Sequence, residues 1–142
     1  MAKLLVIGWG NPMRGDDGFG FLAAERLQSL LPADEAEVLA LHQLTPELME
    51  TVAQAEAAIF IDVSESGEPG ALTRTEVVAS TNAEAFTHHA TPGGLLAGAR
   101  SLYGTAPRAE LYSVRGESFD FGAPLSEAVR RALDEVVGRI VG

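Results

Sequence analysis

Short, wholly apolar runs alternate along the chain with longer stretches whose apolar residues recur every three or four positions. The first run, Lys3 to Gly8, is continuous rather than alternating, which predicts a strand buried on both faces, as in the middle of a parallel sheet. Residues 36–41 predict a second strand and residues 57–63 a third, again buried on both sides. Residues 71–78 alternate through Leu72, Thr73, Arg74, Thr75, Glu76 and Val77. That period of two predicts an edge strand with one wet face. Residues 109–115 predict a fifth strand.

The intervening stretches predict helices. Phe19, Leu22, Ala23, Leu27 and Leu30 stand at helical spacing within 17–31. Thr45, Pro46 and Glu47 supply a cap, a first-position proline and an acid for the positive end of a helix reaching about Ala55. Thr91-Pro92 opens another helix to about Tyr103. Leu125, Val129, Leu133, Val136 and Ile140 line one face of a last one over 124–140. Alternating strands and helices predict a single three-layer α/β/α domain over residues 1–142. Its sheet is expected to have five strands and to be mostly parallel, with one antiparallel edge strand.

Composition narrows the chemistry. The 142 residues suit one domain. The absence of cysteine excludes disulfides, thiolate metal sites and a cysteine nucleophile. Twenty acidic residues against ten basic ones give a net charge of −10, which repels phosphate backbones and anionic lipid, so neither nucleic acid nor membrane is an expected partner. The apolar run after Lys3 is too short for a signal peptide or a spanning helix, and the expected location is the cytoplasm.

Three segments carry candidate chemistry. The loop from Gly8 to Gly18 is glycine-rich and ends near the adjacent carboxylates Asp16 and Asp17. Met13 stands where a dinucleotide fingerprint needs its third glycine, and no Lys-Ser or Lys-Thr follows a glycine as a phosphate loop requires. The plain reading is that Asp16 caps the next helix and Asp17 complements its dipole. The functional reading is a ligand site, because open α/β sheets bind ligands beyond the carboxyl ends of their strands. Asp62 is a polar group in an otherwise apolar strand, where a carboxylate needs loop amides or a metal as partner. His88 and His89 stand just before a helix start. Imidazole with carboxylates suits a borderline divalent ion such as nickel or zinc. The chain has no His-Glu-x-x-His and no Gly-x-Ser-x-Gly, and His42 has no second ligand at helical spacing.

Taken in order, five blocks resemble the hydrogenase maturation endopeptidases. They are Gly8 to Gly20, with the pattern Gly-x-Gly-Asn-x-x-x-x-Asp-Asp-Gly-x-Gly; Gln43 to Leu48; Phe60 to Val63; His88 to Leu96; and Val114 to Gly122 with Leu125-Ser126. The resemblance covers nearly the whole chain. It implies a metal-binding triad of Asp17, Asp62 and His88, with Asp16 beside it; His88 is preferred to His89 because Pro92 stands four residues after it. It also implies a protease that removes the C-terminal extension of a nickel–iron hydrogenase large-subunit precursor. The nickel is then supplied by that precursor, and no tightly bound metal of the protein's own is expected. Lewis-acid polarisation of the scissile carbonyl, and activation of a water by Asp17 or Asp16, are both compatible with it. Two rivals stand beside this reading. A peptidyl-tRNA hydrolase shares the opening Gly8 to Pro12 but needs a Thr-Arg-His-Asn block, absent here, and a surface less hostile to tRNA. A non-catalytic relative would bind a metalloenzyme precursor, chaperone-like, without cutting it.

Overall fold

The computed structural model of the chain describes residues 4–80 and 90–142. Five strands form one sheet: β1 (Leu4–Trp9), β2 (Ala36–Leu41), β3 (Ala57–Ser64), β4 (Leu72–Glu76) and β5 (Arg108–Arg115). Their order is β2-β1-β3-β5-β4. The first four positions pair in parallel and β4 runs antiparallel to β5. Four helices cover the faces: α1 (Phe19–Leu30), α2 (Leu48–Ala53), α3 (Pro92–Tyr103) and α4 (Glu127–Val141). The expected α/β architecture, with its antiparallel edge strand, is the one observed.

Two cores sandwich the sheet. Val6, Ile61, Tyr112 and Val114 face Phe19 and Leu27 of α1 and Val129, Leu133 and Val136 of α4. Leu5, Ile7, Ala58 and Phe60 face Met49 and Val52 of α2 and Leu95 and Ala99 of α3. Leu5, Val6 and Ile7 are all fully buried although neighbours point to opposite faces. The continuous apolar run of β1 therefore has the physical cause read from it: both sides of a central strand are covered.

Element boundaries follow local hydrogen bonding. The third helix starts at Pro92 as expected, and Thr91 caps it, its hydroxyl accepting from the Gly94 amide at 3.0 Å. Thr45 does not cap α2. The Leu48 amide donates to the Thr45 carbonyl at 3.1 Å and the Met49 amide to the Pro46 carbonyl at 3.1 Å, so residues 45–49 form tight turns and the helix begins only at Leu48. The last helix starts at Glu127 rather than 124, because the preceding segment is engaged elsewhere.

Helix α1 is seated closely on the sheet. A Cβ placed on Gly20 would lie 2.2 Å from the Ile61 carbonyl oxygen and 2.5 Å from that of Trp9. The helix start thus rests on the backbone of β1 and β3, with no side chain between. Gly20→Ala is expected to push α1 away from the sheet and cost roughly 3 kcal/mol. Urea unfolding with an unchanged m-value would register the loss.

Candidate active site at the carboxyl edge of the sheet

The chain leaves β1 toward β2 on one side, and leaves the adjacent β3 toward β4 on the other, with β5 between them. Strands β1 and β3 therefore flank the point at which the winding reverses, where the loops part and open a crevice. Asp17 lies in the loop after β1, and Asp62 near the carboxyl end of β3.

The loop after β1 is folded tightly onto itself. Gly10 has φ +148°, and a Cβ there would stand 1.9 Å from the Asp17 carbonyl oxygen. A four-residue 3₁₀ helix, Gly15–Gly18, then leads into α1. The Asn11 amide donates to Oδ2 of Asp17 at 2.9 Å. The Asn11 side chain accepts from the Met13 amide at 2.9 Å. Asp17 is thereby held half-buried beside the end of β1. Residue Gly18 precedes α1 and no side chain caps that helix, so the simple capping role for Asp16 is corrected.

Asp16 is fully buried. Its carboxylate accepts from the amides of Glu117 at 2.8 Å, Ser118 at 3.1 Å and Ser126 at 2.7 Å, and from the Ser126 hydroxyl at 2.9 Å. Its own amide donates to the Ser118 carbonyl at 2.8 Å. Burial pushes its carboxyl up, but the Glu117, Ser126 and Ser118 amides and the Ser126 hydroxyl outweigh burial and hold it below the usual carboxylate range. Asp16 is thus a clamp between the loop after β1 and the loop after β5. The residues that complete the clamp lie about a hundred positions downstream. Glu117 and Ser118 stood within a block of resemblance, but nothing in their spacing linked them to Asp16.

Asp62 has the opposite electrostatics. Its Oδ1 accepts from the amide of the next residue, Val63, at 2.7 Å; the expected bonds to a neighbouring loop are absent among the described residues. Burial pushes its carboxyl up to about 6, the Val63 amide opposes this, and the negative charge of Asp17 adds to it. The fold therefore brings Asp17 and Asp62 within electrostatic reach. His88 and His89 lie outside the described residues. Among the described residues no group of three or more metal-ligating side chains converges. Ala90, two positions after His88, packs into the α2–α3 core, the core on the Asp62 face of the sheet by strand alternation. His42 is exposed, its ring 5.3 Å from that of Phe21.

A curated protein of Methanocaldococcus jannaschii, assigned by name to the hydrogenase maturation proteases, is 25% identical to this chain over 145 residues, covering 98% of the chain and 94% of that protein. A hydrogenase 2 maturation peptidase from Thaumarchaeota archaeon SCGC_AB-539-E09 superposes with a TM-score of 0.73 at 28% identity, covering 98% of this chain and 96% of that one. The chain resembles the hydrogenase maturation proteases. The maturating endopeptidase HybD of E. coli gives a TM-score of 0.77 at 25% identity, covering 99% of this chain and 90% of that one. The maturation protease HycI of Thermococcus kodakarensis shares the fold with a TM-score of 0.78 at 21% identity over 99% of this chain and 90% of its own. No family model matches the chain. The maturation-protease resemblance thus extends from the five sequence blocks to the whole fold.

The two aspartates predict opposite responses. Asp16→Asn places an NH2 donor against amides that can only donate, and should cost roughly 2–4 kcal/mol at neutral pH. Since the Asp16 carboxyl is depressed in the folded state, its contribution is present above the unfolded value and lost as pH falls. Asp62 is raised from 3.8 to about 6. The folded protein then binds more protons than the unfolded one between those values, and stability falls as pH rises through that window. Asp62→Asn should therefore stabilise the metal-free protein at pH 7, by at most about 3 kcal/mol, with the gain vanishing near pH 3.8. Thermal unfolding of both variants across pH checks both signs.

Proposed function

We propose that the protein is an endopeptidase that removes the C-terminal extension of a nickel-loaded hydrogenase large-subunit precursor. The observation that carries this reading is the position of Asp17 and Asp62 after the adjacent strands β1 and β3, close enough for the charge of Asp17 to act on Asp62. It is supported by the maturation-protease resemblance in sequence and fold over 98–99% of the chain.

The donor set suits a cation. Two carboxylates that repel each other, one of them desolvated, are relieved by a divalent ion. Oxygen donors from Asp17 and Asp62, with an imidazole nitrogen from His88, suit nickel that still has open coordination positions. The set lacks thiolates, so it binds a free ion weakly. It grips nickel already fixed in a docked precursor because docking raises the effective concentration of the ligands. Nickel then acts as part of the substrate, and recognition of the loaded precursor precedes the cut.

For hydrolysis, a cation held by Asp17, Asp62 and His88 would supply Lewis-acid polarisation of the scissile carbonyl. A carboxylate accepts the proton of the attacking water. Asp16 is poorly suited to that role, since four donors already occupy its oxygens. Asp17, held at one oxygen by Asn11, is the better base. Asp62 serves as ligand, and a cation offsets the burial, and the smaller repulsion from Asp17, that raise its pKa.

Incubation with nickel-loaded and nickel-free precursor, read by the mass of the large subunit, tests the proposal. Only the loaded form should be shortened. Asp17→Ala, Asp62→Ala and His88→Ala should each slow the cut by at least about 100-fold, while His89→Ala retains most activity. The purified protein should carry far less than one metal ion per chain. Stoichiometric zinc, or cleavage of nickel-free precursor, would assign the metal to the enzyme instead. Binding of the precursor without cleavage would make the protein a precursor-binding relative.

A further inference from the structure

Two large apolar side chains stand exposed beside the candidate site, and they come from distant parts of the chain. Met13 is 57% exposed and Phe121 is 74% exposed. The Gly122 amide donates to the Met13 carbonyl at 2.7 Å, which joins the two loops directly. Scattered apolar residues on a surface are ordinary. Here, however, the loops are also fastened by the buried Asp16 clamp, so both anchors are presented from a fixed base. Phe119, two residues before Phe121, is half-buried, its ring tip against Gly116. Phe121 is left outward although the same loop buries its neighbour.

The patch is continuous with the site. The Met13 amide bonds to the Asn11 side chain, and the Asn11 amide bonds to Asp17. Carboxylates outnumber cations on the loops that adjoin it. Glu65 and Glu68 in the loop after β3, and Glu117 and Asp120 in the loop after β5, are all exposed; Arg14 is the exposed cation beside Met13. Flexible methionine and an aromatic ring, rimmed by carboxylates, suit an apolar anchor flanked by basic residues.

We infer that Met13 and Phe121 form a docking platform for a basic, apolar-anchored polypeptide segment of the precursor, seated next to Asp17. The inference rests on the precursor-processing reading above, and it assigns to these two side chains the recognition of protein rather than of metal. Docking there holds the precursor against the acidic edge while its nickel meets the carboxylates.

Equilibrium binding of the full nickel-bearing precursor to the intact protein tests it, with Met13→Gln, Phe121→Ser and, as control, Leu102→Ser. Leu102 is also an exposed apolar residue, 68% accessible, but lies near the far end of α3. Met13→Gln and Phe121→Ser should each weaken binding by about 10-fold, equivalent to about 1.4 kcal/mol, with unchanged melting temperatures. Leu102→Ser should bind like the wild type, and rising salt should weaken wild-type binding. Wild-type affinity in both platform variants, an equal loss in the control, salt-independent affinity, or no wild-type binding would each overturn the inference. So would a concentration-dependent self-association abolished by Phe121→Ser, which would make the patch a contact between copies. Platform-dependent binding without cleavage leaves the inference standing and removes the protease reading. Cleavage unaffected by the platform variants does the reverse.

Discussion

A carboxylate taken out of water costs several kcal/mol unless its lone pairs are filled. Asp16 is fully buried, and three amides and a hydroxyl fill them. Every other feature of the carboxyl edge stands on that arrangement. It fixes the loop after β1, which carries Asp17, against the loop after β5, which carries Phe121. It also engages Ser126, so α4 begins only after it. The neighbouring carboxylate could not take this place. Asp17 points its oxygen to Asn11 and its charge toward Asp62, and is left half-buried at the surface.

The pair Asp16 and Asp17 thus divides two jobs between adjacent positions. One carboxylate is saturated with donors and depressed; it holds backbone. The other, with Asp62, forms a like-charged pair at a strand end, where burial and mutual repulsion raise the partner to about 6. A protein that spends stability in this way at one edge compensates elsewhere, through two apolar cores and the close seating of α1. The contrast also separates structural from chemical carboxylates without reference to any ligand: hydrogen-bond saturation marks the first, burial without enough donors the second.

Much of this was legible in the sequence. The fold class, the five strands and the antiparallel edge follow from period and burial, because strands covered on both faces must be continuously apolar. Asp62 stood out because its strand offered nothing polar around it. The start of α2 is not legible, since Thr45 and Pro46 have the composition of a helix start yet close i-to-i+3 turns. In sequence Asp16 suits a cap or a base beside Asp17; its partners are mostly backbone amides, which nearly every residue possesses and which therefore leave no mark in residue type. The platform was also hidden: Met13 and Phe121 are unremarkable as letters, and only the Gly122–Met13 bond brings them together. His88, chosen by its spacing to Pro92, lies outside the described residues.

The bond from Ser126 to Asp16 spans 110 positions. A chain emerging from the ribosome in order has its first strand, its glycine-rich loop and Asp17 long before the clamp can close. Contacts so distant along the chain form late, after the loop-closure entropy between them has been overcome. Until the final helix is synthesised and docked, the buried carboxylate has no partners and its loop has no fixed shape. Completion of the edge is thereby tied to synthesis of the segment that carries Ser126, so a nascent polypeptide that still lacks it would hold the acidic residues without the geometry that makes them a site.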